Sequence, residues 1–154
     1  MFTLALQKSF DELITIIEKA TSDLNNNELK TEVNYRLGTY LHWMMDFWER
    51  IEGDSIHSIT QEHKSLCSAF RYANNELKHG KNLVTLYQRT GGFSFPIRFP
   101  LTIERIEFKW AVLELSKKSY ESQFLNYQTL LEEKPLLDTI IEAKEVVETY
   151  SAIS

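Results

Sequence analysis

The chain has 154 residues, 43% of them apolar and 25% charged, with a formal net charge of −5. That is enough for one domain with a real core, and the balance is ordinary for a globular protein rather than a disordered, collagenous or disulfide-built one. A single cysteine, Cys67, excludes an internal disulfide. The opening residues, MFTLALQKSFDELITII, have no basic stretch ahead of their apolar positions, and no run of about 18 apolar residues follows, so neither a signal peptide nor a membrane span is expected. The expected location is therefore the reducing cytoplasm.

In chain order, residues 3–25 place Leu6, Phe10, Leu13, Ile14, Ile17, Ala20 and Leu24 at steps of three and four, one stripe of a helix. Asn25-Asn26-Asn27 ends it and caps the next. Residues 27–52 carry a second stripe, Leu29, Val33, Leu37, Tyr40, Leu41, Met44, Phe47, Trp48 and Ile51. Trp43 and Met45 lie off that stripe, which reads as core on an unusually apolar helix or as a seal against a second copy. A third helix is expected from 56 or 58 to 79, with Ile59, His63, Leu66, Phe70, Ala73 and Leu77 in register. Gly80 stands where a left-handed C-terminal cap is wanted.

The period then changes. Leu83–Tyr87, Phe93–Pro100 and Thr102–Trp110 favour extended chain, with Thr90-Gly91-Gly92 as a turn and Pro96 at an edge or bulge. After Lys117-Lys118 helical spacing returns in Tyr120, Phe124, Tyr127, Leu130 and Leu131. Pro135 then suits the first turn of a last helix carrying Leu136, Leu137, Ile140, Ile141, Val147 and Tyr150. The expected fold is mainly α: one domain over 1–154, an up-down bundle of four or five helices with a small antiparallel β meander at about 83–110, after the third helix.

Charge is unevenly spread. Residues 64–118 hold ten Lys/Arg against four Glu, +6, and the remainder carries −11. The basic part contains Arg71-Tyr72-Ala73-Asn74-Asn75-Glu76-Leu77-Lys78-His79-Gly80-Lys81. Arg71, Asn75 and His79 recur every four residues and so stay on one side of a helix; Lys78 falls nearly in line with Arg71, and Asn74 lies on the adjoining stripe. Arg can grip phosphate with two parallel bonds, Lys as a point charge and Asn by its amide, while a histidine such as His79 can serve as general acid or base. Histidine with arginine and no metal suits RNA cleavage, in which a base activates the 2′-hydroxyl and cations stabilise the charged transition state. Two copies around a dimer axis would double such a row. The alternative is that the row pairs with acidic neighbours and His79 caps carbonyls. His42, Asp46 and Glu49 share a helix face but supply too few metal ligands unless His63 joins them, and His57 lies on a different side from His63.

The ending Asn75-Glu76-Leu77-Lys78-His79, with Arg71 upstream, resembles the HEPN superfamily: small bacterial and archaeal helical proteins, usually dimers. Many are metal-independent ribonucleases of toxin–antitoxin, abortive-infection and CRISPR-associated systems; others bind nucleotides or act as scaffolds. Their motif sets arginine, usually a polar residue, four to six further residues and then histidine; here Tyr72 follows the arginine and seven residues intervene. The resemblance implies Arg71 and His79 as catalytic residues and Asn74, Asn75, Lys78 and Lys81 as nucleic-acid or phosphate ligands. It also implies a homodimer, an RNA or nucleotide partner, an antitoxin partner and no cofactor or metal. The second reading is a non-catalytic interaction or scaffold protein whose Arg/Asn/Lys/His row is structural.

Overall fold

A computed structural model describes residues 2–54, 58–92 and 102–151. Five α-helices and a two-stranded sheet follow in the order α1 (Phe2–Ser22), α2 (Asn27–Gly53), α3 (Gln61–Lys78), β1 (Val84–Gly92), β2 (Thr102–Trp110), α4 (Glu121–Leu130) and α5 (Leu136–Ser151), with a 3-10 turn at Lys118–Tyr120 leading into α4. The mainly helical class and the sheet after the third helix are as the sequence predicts. No helix among the described residues is long and apolar enough to cross a membrane.

The boundaries have local causes. Asn26 caps α2, its side-chain oxygen accepting from Glu28 N (3.1 Å) and Leu29 N (3.2 Å). Thr60 Oγ1 accepts from His63 N at 3.3 Å and starts α3. At the other end Gly80 takes φ 79°, and the chain closes with Gly80 N donating to Leu77 O (2.9 Å) and Lys81 N to Glu76 O (3.1 Å). These paired bonds form a Schellman cap, which a residue without Cβ adopts at least cost.

The helices α1 and α2 pack side by side, α3 packs on both α2 and α4, and α5 rests on α1, α2 and β2. The core takes Leu13, Ile17 and Ala20 from α1, Val33, Leu37, Leu41, Met44 and Trp48 from α2, and Leu66, Phe70 and Ala73 from α3. Met45 also belongs to this core at 5% exposure, rather than to an outward seal, and Trp43 packs against it half-buried. Burial on α3 is wider than the single predicted stripe. Tyr72 and Glu76 are buried too, and Tyr72 lies against Phe124 and Tyr127 of α4. On α5, Leu137 and Ile141 lie outside the packed face and are exposed, while Ala143 and Val146 are inside it.

The sheet differs in one detail. The strands run antiparallel with Val84 opposite Trp110 and Gly92 opposite Thr102, so Thr90-Gly91-Gly92 forms the end of β1 instead of a turn. Glycines keep their backbone donor and acceptor, so they can continue a ladder. The predicted extended run Phe93–Pro100, including Pro96, lies outside the described residues, and two strands are present among those described. The base of the sheet is anchored in the bundle by Leu83, Val84, Phe108 and Trp110, all buried. Trp110 packs edge-on to Phe70 at 5.6 Å between ring centres, and its Nε1 donates to Thr139 Oγ1 at 2.6 Å.

Candidate anion-binding groove

The row that looks continuous in sequence is divided by the packing of α3. Arg71 and His79 stand eight residues apart, so about 12 Å along one helix axis. Arg71 faces a cavity of about 530 Å³ bordered by Glu52, Lys64, Ser68 and Asn126. Its Nη2 approaches both carboxylate oxygens of Glu52 at 3.4 Å, with 30% of the Arg71 side chain exposed. Tyr72, beside it, lies against Phe124 and Tyr127, and its hydroxyl donates to Glu114 O at 2.6 Å. That position therefore serves packing on α4 and not a polar surface.

The other candidates gather elsewhere. Asn74 and Lys78 line a recess of about 540 Å³ against α2, together with Tyr35, Gly38 and His42. Lys81 lines a second recess of about 680 Å³ with Lys30, Asn82 and Thr85. The two recesses share Thr31, Asn34 and Leu77, so they form one groove between α2, the end of α3 and the start of β1. Asn75 is half-buried and lines neither recess. His79 is exposed at the cap and also lines neither. The carbonyls at that helix end are met by backbone donors, so the imidazole is not required there for capping.

The groove's electrostatics are one-sided. Lys30, Lys78 and Lys81 border it, and among the described residues no Asp or Glu does. Among the described residues none of these lysines is held in an ion pair, whereas Arg36 pairs with Glu12 (2.8 Å) and Glu32 (2.9 Å), Arg50 with Asp46 (3.5 Å) and Arg71 with Glu52. Among the described residues, then, carboxylates hold Arg36, Arg50 and Arg71 and leave the groove lysines without a counter-charge. Two amides complete the lining. Asn34 Oδ1 accepts from Leu83 N at 3.1 Å, which fixes the entry to β1 and leaves its N–H donors for another partner. Asn74 is only 6% exposed, and among the described residues its amide has no hydrogen-bond partner.

Lys30, Asn34 and Tyr35 are not among the residues that the sequence singles out. Their signal is Gly38. A glycine in the middle of a 27-residue helix costs about 1 kcal/mol relative to alanine, and here a Cβ would stand 2.5 Å from Leu77 Cδ2. The tip of the Leu77 side chain occupies the space a side chain at Gly38 would take, so the glycine marks where α3 meets α2 on the groove wall.

No three His, Cys, Asp or Glu side chains gather as a metal site among the described residues. His42 lies edge-on to Trp43, Asp46 pairs with Arg50, and His63 Nδ1 lies 2.7 Å from the Tyr150 hydroxyl; His57 lies outside the described residues. Burial pushes the phenols of Tyr40 and Tyr127 well above their ordinary value. It does the same to the Cys67 thiol, against the opposing influence of Arg71. No protein-family model, no curated protein and no solved structure matches this chain.

Proposed function

We propose that this protein binds RNA through phosphates laid along the groove between α2, α3 and β1. Lys30, Lys78 and Lys81 meet the phosphates, and the amides of Asn34 and Asn74 orient the backbone. The observation that carries the reading is the presence, among the described residues, of three lysines without ion-pair partners along one groove that no described carboxylate borders. A concave surface of one sign concentrates an anionic polymer and releases its counterions on binding. The helix ending that resembles HEPN proteins points to the same class of ligand, and a free nucleotide would use the same phosphate contacts. Arg71 is read as structural, since Glu52 already neutralises it. Metal-independent cleavage would require Arg71 and His79 from two copies of the chain, because in one protomer they border no common cavity.

Titration of a labelled single-stranded RNA in EDTA at several salt concentrations tests this. Three phosphate contacts give a log–log salt slope of about −2. Lys78→Ala and Lys81→Ala each weaken binding and lower that slope in magnitude by roughly 0.7, whereas Arg71→Ala leaves both unchanged. RNA recovered from the wild-type titration below any dimerising concentration is full length. Binding that ignores salt and both lysines would remove the reading, and cleavage by a protomer shown to be monomeric would remove the assignment of Arg71.

A further inference from the structure

The groove is charged at one end and aromatic at the other. Lys30 and Lys81 border one recess, while Tyr35 and His42 border the other beside Lys78. Tyr35 is 64% exposed, an unusual state for a large ring on the longest helix of the bundle. It is also held in place. The Arg36 guanidinium carbon stands 5.6 Å from the centre of the Tyr35 ring, and that guanidinium is fixed by Glu32 at Nε and Glu12 at Nη1. A cation anchored by two carboxylates over an aromatic ring limits the ring's motion. Tyr35 and His42 are seven residues apart, so they share one face of α2 at about 10 Å along its axis.

We infer that Tyr35 is a stacking platform for an unpaired nucleobase, and that the groove therefore selects single-stranded nucleic acid over duplex. The inference rests on the phosphate-binding reading of the same groove. Lysines along a backbone do not tell single from double strands, because both present phosphates. A ring does: a base inside a duplex has both faces covered by its neighbours, whereas an unpaired base offers a face to an exposed aromatic side chain. Tyr35 sets strand type and Lys30, Lys78 and Lys81 set affinity for charge.

The test uses the full chain and three ligands of one length at one salt concentration: a 12-nucleotide RNA strand, the blunt duplex of that sequence, and an abasic ribose-phosphate chain. The wild type binds the single strand about tenfold or more tighter than the other two. Tyr35→Ala lowers single-strand affinity by about five- to a hundredfold, the range for loss of one stacked base, and leaves the abasic chain unaffected. Tyr35→Phe keeps the preference. Since the ring is exposed, both variants fold, which circular dichroism melting verifies. A Tyr35→Ala protein that still prefers the single strand overturns the inference, as does a wild type that does not distinguish the base-bearing strand from the abasic chain. Lys78→Ala and Lys81→Ala separate the two levels. If they weaken all three ligands while Tyr35→Ala changes nothing, only the stacking role falls; if they weaken none, the groove reading falls and takes this inference with it.

Discussion

At the scale of single residues, what matters is the partner each polar group finds. The residue after Arg71 shows how chain neighbours can face different surroundings. Arg71 reaches Glu52 across a cavity, while Tyr72 is 0% exposed and braces α3 against α4. The buried Trp110 indole makes the same point in the core. Its Nε1 has Thr139 Oγ1 as partner, and that hydroxyl in turn donates to Leu136 O at 2.8 Å. Thr139→Val keeps the shape but leaves the indole N–H buried and unpaired, at a cost of about 1–3 kcal/mol. Thermal unfolding should register a drop of roughly 2–12 °C for a chain of this size, and Thr139→Ser should recover most of it. An unchanged midpoint in Thr139→Val would mean that the indole has another acceptor.

At the scale of elements, the end of α3 determines where the cations lie. The Schellman cap turns the chain at Gly80 so that Lys78 lines one recess and Lys81 the next. Nothing stands within 4 Å of a Cβ built on Gly80, so substitution there meets no clash and acts through backbone conformation alone. Gly80→Ala should cost about 1 kcal/mol, the usual penalty for a left-handed non-glycine residue, lowering the melting midpoint by about 2–4 °C. A Gly80→Ala chain as stable as the wild type would show that this turn does not hold its left-handed conformation in solution.

At the scale of the whole molecule, the buried titratable groups predict how stability follows pH. The folded state holds Cys67, Tyr40 and Tyr127 above their ordinary values of 9.0 and 10.0, chiefly by burial. Raised folded values mean that the native chain retains protons which the unfolded chain releases. Their contribution is therefore fully present below about pH 9 and is lost as pH rises past the unfolded values. The urea midpoint should be flat with respect to these groups from pH 7 to 8 and fall steadily above pH 9. Cys67 should resist alkylation at pH 8 until the chain is unfolded. A thiol that reacts at once in the native protein would contradict its burial.

Much of the architecture was written in local pattern. The stripe through Leu37, Leu41, Met44 and Trp48, the cap at Asn26 and the stop at Gly80 each follow from neighbours within a few residues, which is the range over which periodicity and capping act. The candidate site was legible only in part. Lys78, Lys81 and Asn74 line the groove, whereas Arg71, Asn75 and His79 do not, although spacing sets Lys78 nearly in line with Arg71; Lys30, Asn34 and Tyr35 join from another helix. Spacing along α3 places side chains on a face, yet it cannot say which face another helix covers. Tertiary structure decided that α4 would pack on Tyr72, that Glu52 would neutralise Arg71, and that α2 would set Lys30 in the same recess as Lys81. Local geometry is an affair of adjacent residues, whereas the freedom of a charge depends on which distant carboxylate the packing brings within reach.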